Sequence, residues 1–323
     1  MAIIFDGEAE ALRREVKLQA KTQHLLKQGI QPKIAAILFD EDEASATYTR
    51  LKSEAAQRVG IAYQVDHFSF NTPVKQIQQR LEELNQDDSV SGIIIQKPWT
   101  QLWLAATGQQ SVTAFNDWWQ QLVTHIATTA SHGVNKDIDG LHPDTLAAIR
   151  AGHWLEQGLV LPATVRAVVT ILKHYKDHYD PDFCYCQEQT LIVGRSDLLG
   201  RPLYWHVGSM LHCSIDSQPK AAKDCGVTLV GKQEFNQLIE QKKSLKDYTI
   251  IVSATGQANL IRGEMIERGT LLVDVGEPGG DIDLASCQQL AKFITPVPGG
   301  VGPMTVVSLL ANTLDLLKNR GII

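Results

Sequence analysis

The sequence predicts an α/β protein of two domains, each built on a parallel sheet. Three observations carry this. The chain has 323 residues, more than one hydrophobic core ordinarily serves. Short apolar runs such as Lys33 to Phe39 and Val90 to Gln96 alternate with longer amphipathic stretches, the βαβ order that makes strands parallel. A second series of the same kind runs from Glu188 to Ile294.

In chain order, Glu8 to Leu26 mixes apolar and charged residues at helical spacing, and Lys33 to Phe39 follows as a buried strand. A helix from Ala44 to Val59 ends at Gly60, a natural left-handed cap. It sets Tyr48 and Lys52 on one face, with Ser45 a turn earlier. Taken alone, that face reads first as a solvated lysine beside a half-buried tyrosine. Ala62 to Phe68 alternates as a strand, Pro73 to Asn85 is an amphipathic helix, and Val90 to Gln96 is a third strand. Gln96 and Pro98 then stand at the carboxyl end of a parallel strand, where ligands of such sheets sit. Trp99 to Val134 is the least legible part, with tryptophans at 99, 103, 118 and 119 and a helix expected over Asn116 to Ile126. Its aromatics suit packing or a subunit interface. Asp137 and Asp139, two apart before Gly140, would face one side of an extended segment and suit an amino-bearing heterocycle; a surface turn is the rival reading.

Leu161-Pro162-Ala163-Thr164 opens a helix running to His174, and Glu188 to Gly194 is a strand feeding the turn Gly194-Arg195-Ser196-Asp197-Leu198-Leu199-Gly200. Strand, glycine turn and helix together form the context of a Rossmann phosphate site, although the glycine spacing departs from the usual fingerprint. The next strand, Val227 to Val230, ends at Gly231-Lys232 with no carboxylate at its tip. With Arg195 in the first turn this leans to a ribose 2′-phosphate, hence NADP, while a second strand at Ser214 to Ser217 would supply Asp216 and favour NAD. Strands are also expected at Tyr248 to Ala254 before Thr255-Gly256, at Leu271 to Gly276, and at Phe293-Ile294. Thr295 to Thr305 packs three glycines and three prolines into eleven residues, a rigid bare-backbone loop, with a helix expected from Thr305 onward.

Composition narrows the partners. A net charge of -6 offers no concentrated basic surface for nucleic acid or anionic membrane. Acidic residues at Asp6 and Glu8 arrive too soon for a signal peptide and no apolar run reaches membrane-span length, so a cytoplasmic location is expected. Cysteines at 184, 186, 213, 225 and 287 form no disulfide framework, and Cys184-Tyr185-Cys186 lacks a second cluster at zinc spacing, so no metal site is expected.

With these residues assembled, the chain resembles the bifunctional methylenetetrahydrofolate dehydrogenase/cyclohydrolase family over nearly its whole length. The resemblance rests on Ser45-x-x-Tyr48-x-x-x-Lys52, Gly92-Ile-Ile-Ile-Gln96-x-Pro98, Lys136-Asp-Ile-Asp-Gly140, Pro162-x-Thr164, Val193-Gly-Arg-Ser196 with Gly200, Asp274-Val-Gly276, Gly280-Asp-Ile-Asp283 and Ile294 to Thr305. It implies an N-terminal α/β folate domain (1–160) completed by the C-terminal helix (296–323), and an inserted Rossmann-type dinucleotide domain (161–295), the site lying in the cleft between them. It further implies a homodimer that oxidises 5,10-methylenetetrahydrofolate with NADP, NAD being possible, and hydrolyses the methenyl product. Lys52 would act at the C1 centre, Gln96 would hold it and Tyr48 would stack on the folate. Ser45, Asp139 and the Pro298-Gly299-Gly300-Val301 loop would bind substrate. Thr164, Gly194, Arg195, Ser196, Gly200, Lys232, Thr255, Gly256 and Gly276 would bind the dinucleotide.

The departures are Lys97 between Gln96 and Pro98, which could depress Lys52 or bind a glutamate tail, Ala163 after Pro162, Gly231-Lys232-Gln233-Glu234 after the second strand, and Glu277-Pro278 after Gly276. Segments within Thr100 to Asn116 and Ser214 to Asp224 are longer than the family usually shows. Because the folate-side residues match better than the dinucleotide side, two rivals follow: a homologue keeping folate binding or hydrolysis alone, and a non-catalytic folate-binding protein.

Overall fold

The computed structural model describes residues 1–183, 188–210, 226–241 and 244–322. Cys184-Tyr185-Cys186, the strand considered at Ser214 to Ser217 and the longer segment around it lie outside the described residues. The chain divides into two compact units, one of Arg13–Ala148, Trp154–Ala163 and Leu309–Ile323, the other of Met1–Leu12, Ile149–His153 and Thr164–Ser308. Residues 1–12 and 296–308, which the sequence assigns to the first domain, thus group with the second sheet.

The first unit holds a parallel sheet of β2 (Lys33–Phe39), β3 (Ala62–Phe68) and β4 (Gly92–Ile95) in the order β3-β2-β4. Six of the seven residues of β2 are buried, because a central strand covered on both faces has no polar side to present. Helix α2 (Glu43–Val59) is pinned at both ends. Asp42 accepts the Ser45 amide at 3.0 Å, and Gly60 takes the left-handed φ of 81° that closes the last turn. Helix α3 (Val74–Gln86) buries Ile77, Leu81 and Leu84 along one face.

The tryptophan-rich segment is core. Helices α4 (Thr100–Thr107) and α5 (Val112–Val123) bury Trp103, Phe115, Trp118 and Trp119, and the Trp118 ring lies 5.0 Å from Phe39 of β2. The second helix starts four residues before the expected Asn116, because Ser111 caps it by accepting the Thr113 amide. Trp99 alone of the four is half exposed, at 51%.

The second unit holds six parallel strands in the order β1-β9-β8-β7-β5-β6, comprising β1 (Ile3–Ile4), β5 (Thr190–Val193), β6 (Val227–Val230), β7 (Ile250–Ser253), β8 (Leu271–Asp274) and β9 (Phe293–Ile294). The two-residue β1 escapes sequence reading; it pairs Ile3 with Phe293 and Ile4 with Ile294. Leu191, Val193, Ile251, Leu272, Phe235 and Ile294 centre the core of this unit.

Helix α12 (Val301–Asn319) begins four residues earlier than expected, with Gly302 and Pro303 in its first turn. Proline is tolerated there because first-turn amides have no intrahelical acceptor. Thr305 consequently lies inside the helix, where its hydroxyl donates to the Val301 carbonyl at 3.2 Å.

Candidate active site

Two side chains from separate elements meet in the first unit. The Lys52 ammonium, in the middle of α2, donates to the Gln96 amide oxygen at 2.7 Å. Gln96 is fixed at the carboxyl end of β4 by its own amide, which donates to the Ile37 carbonyl at 2.9 Å. Lys52 is buried, and burial lowers its proton affinity while the negative charge of Asp139 works the other way. Asp139 responds in kind: loss of water pushes its carboxyl up to about 6, the Lys52 charge pulls it down, and Asp137 adds a push upward. Burial thus draws the proton affinity of Lys52 down and that of Asp139 up, while Gln96 holds the ammonium by a neutral hydrogen bond. Tyr48 stands one turn from Lys52 on the same helix face and is half buried.

Ser45 is already engaged, its hydroxyl donating to Asp42 at 3.0 Å, so toward a ligand it can only accept. Asp137 does not share a face with Asp139. The segment bends toward Gly140, whose φ is 70°, and the Asp137 carboxylate accepts the amides of Leu141 and His142 at 3.2 and 2.9 Å and the Thr145 hydroxyl at 2.9 Å. It is spent on the start of α7 (Pro143–Ala151). Lys97 lies over the Trp119 and Phe115 rings, 5.1 and 5.8 Å from their centroids, and burial and Asp139 account for the shift of Lys52 without it.

One group near this site escapes sequence reasoning. The Tyr63 hydroxyl of β3 is buried, finds no hydrogen-bond partner among the described residues, and is held far above its ordinary proton affinity by burial and by Asp139. A buried tyrosine hydroxyl usually has a partner. The only hint in the sequence is an aromatic residue in a strand otherwise alternating with polar ones.

In the second unit the Gly194 amide donates to the Val230 carbonyl at 2.8 Å, Gly194 has a φ of 119°, and a Cβ on Gly200 would fall on the Gly194 carbonyl oxygen. Both glycines are therefore required by the turn that leads from β5 into α9 (Gly200–Met210). Ser196 closes that turn through its carbonyl, which accepts the Arg201 amide at 3.1 Å. The Thr255 amide and hydroxyl donate to Asp281 at 2.6 and 2.9 Å, Gly256 follows at a φ of 67°, and the Gly276 amide donates to Asp274 at 2.9 Å. Lys232 opens α10 (Lys232–Glu240), and Thr164 lies in the first turn of α8 (Ala163–Tyr179). The loop Pro298-Gly299-Gly300 leads into Val301 of α12, with Gly299 at a φ of 95° and the Gly299 and Gly300 carbonyls packed against Gly7.

The tip of β6 carries a carboxylate after all. Glu234, three residues past Gly231, turns back so that one oxygen accepts the Gly231 amide at 2.8 Å and the other the Arg195 guanidinium at 2.8 Å. A strand, a glycine turn obligatory in shape, a helix entrance and a half-exposed arginine beside the second strand tip fit a dinucleotide's phosphates and ribose.

Residues 5–116 match the catalytic domain of the tetrahydrofolate dehydrogenase/cyclohydrolase family, and residues 162–321 match its NAD(P)-binding domain. The chain is 30% identical to the bifunctional protein FolD of Bacillus licheniformis over 327 aligned residues, covering 98% of each. The chain belongs to the tetrahydrofolate dehydrogenase/cyclohydrolase family. Among solved members, the bifunctional FolD enzyme of Campylobacter jejuni is 28% identical, with a TM-score of 0.76 over 99% of this chain and 100% of that one. The Trypanosoma brucei dehydrogenase-cyclohydrolase, complexed with NADP cofactor and inhibitor, is 25% identical, with a TM-score of 0.79 over 99% and 98%. The family's two-domain α/β architecture is the fold expected from the sequence.

Proposed function

We infer that the protein oxidises 5,10-methylenetetrahydrofolate to the methenyl compound with NADP and hydrolyses that product to 10-formyltetrahydrofolate. The observation that carries this reading is the Lys52–Gln96 contact of 2.7 Å beside the raised carboxyl of Asp139, in a chain that aligns end to end with bifunctional enzymes. Lys52, its proton affinity lowered by burial, is suited to give and take a proton at the C1 centre, and Gln96 fixes the direction of its ammonium. Tyr48 supplies a ring for the folate to stack on. Ionised Asp139 accepts hydrogen bonds from an amino-bearing ring. Ser45, Tyr63 and the Pro298-Gly299-Gly300-Val301 loop complete the proposed substrate set. The dinucleotide supplies the hydride acceptor when bound, and the Gly194-Arg195-Ser196 turn with Gly200, Lys232, Thr164, Thr255, Gly256 and Gly276 is proposed to hold it. The same reading makes the protein a cytoplasmic homodimer in one-carbon metabolism.

The test is turnover. Purified protein given methylenetetrahydrofolate and NADP is expected to produce the methenyl absorbance, and supplied methenyltetrahydrofolate is expected to lose it by hydrolysis. Hydrolysis without oxidation by either NADP or NAD would favour a homologue retaining one activity. Lys52→Met is expected to abolish hydrolysis with unchanged circular dichroism, because the methionine fills the buried volume without a proton to transfer; full hydrolysis in that variant would refute the role of Lys52.

A further inference from the structure

At the carboxyl end of β6 two opposite charges are held together. Arg195, from the turn after β5, donates to Glu234 at 2.8 Å and to the Leu229 carbonyl at 3.3 Å. The second Glu234 oxygen takes the Gly231 amide at 2.8 Å, so the carboxylate is fixed from two directions. Strands β5 and β6 pair Val193 with Val230, which sets the glycine turn and the strand tip side by side. The Arg195 and Glu234 side chains are 47% and 45% exposed, open enough to meet a ligand. In a Rossmann arrangement this tip faces the ribose whose 2′ position carries a hydroxyl in NAD and a phosphate in NADP.

We propose that Glu234 is a specificity-determining residue for the ribose 2′ position, reducing the preference for NADP so that NAD is also accepted. The proposal rests on the dinucleotide reading above. The physical case is competition. A 2′-phosphate needs the guanidinium that Glu234 already occupies, and its negative charge is repelled by the same carboxylate. A 2′-hydroxyl suffers neither penalty and can donate to the free lone pairs of Glu234. Arg195 pulls in the opposite direction, and the balance between the two sets the ratio of affinities.

Isothermal titration of the full-length protein with NADP and with NAD separately measures that ratio without any turnover. Glu234→Gln keeps an oxygen for the Gly231 amide and removes the charge. It is expected to tighten NADP roughly tenfold relative to NAD, the scale of a half-exposed ion pair plus a nearby repulsion. Arg195→Leu offers a second arm that leaves the Gly231 cap intact, and it is expected to weaken NADP while leaving NAD within about twofold. An affinity ratio unmoved by E234Q, or equal weakening of both dinucleotides by R195L, would overturn the proposal alone. Failure of the unaltered protein to bind either dinucleotide would overturn the cofactor reading and the proposal with it.

Discussion

Asn312 offers the sharpest test of how the fold holds the Asp139 segment. Its side chain is fully buried in α12 and its amide nitrogen donates to the Ile138 carbonyl at 2.8 Å and the Leu161 carbonyl at 2.9 Å. Those carbonyls lie in strips of chain far apart in sequence, one of them adjoining Asp139. Asn312→Leu keeps a branched side chain of similar shape and deletes both donors. Each buried carbonyl deprived of its donor costs roughly 1–3 kcal/mol, so the substitution is expected to destabilise the unit by roughly 2–6 kcal/mol. Five of the six tryptophans (99, 103, 118, 119 and 154) belong to that unit, so urea unfolding followed by tryptophan fluorescence reports on it selectively. Asp139 should also lose its fixed position, raising KM for the folate substrate more than it lowers kcat. A loss of stability below about 1 kcal/mol would show that the two bonds do not carry the load assigned to them.

Two further outcomes follow from the site geometry. Because the Asp139 carboxyl is pushed up to about 6, protonation as the pH falls through that value removes a hydrogen-bond acceptor. Tetrahydrofolate binding, followed by fluorescence quenching, is expected to weaken on the acid side of about 6 and to show no such limb in Asp139→Asn. In the second unit, Gly200→Ala would set a methyl group against the Gly194 carbonyl. Overpacking of this kind costs roughly 1–3 kcal/mol, so NADP affinity should fall roughly ten- to hundredfold, measured as loss of the melting-temperature shift that NADP produces.

The parts of this molecule written in local pattern were legible from the letters. Strand β2 and strand β9 fall on the residues expected, because unbroken apolar runs bounded by polar residues have few alternatives, and Gly60 ends α2 as its lack of a Cβ requires. Residues whose meaning depends on where the backbone turns were not. Asp137 and Asp139 look equivalent in sequence, yet the bend before Gly140 commits one to capping α7 and leaves the other with Lys52. Glu234 lies four residues beyond the end of β6, and only the backward reach of its side chain to the Gly231 amide brings it to the strand tip. The start of α12 is hidden for the same reason, since Gly302 and Pro303 argue against helix interior but not against a first turn.

The pairing of Ile3 with Phe293 has a bearing on how the protein is made. During synthesis β1 leaves the ribosome well before β9, the strand that it pairs with. The edge of the larger sheet therefore closes late, after the strands between have had time to assemble, and folding of that edge is limited by a contact between residues nearly 300 positions apart.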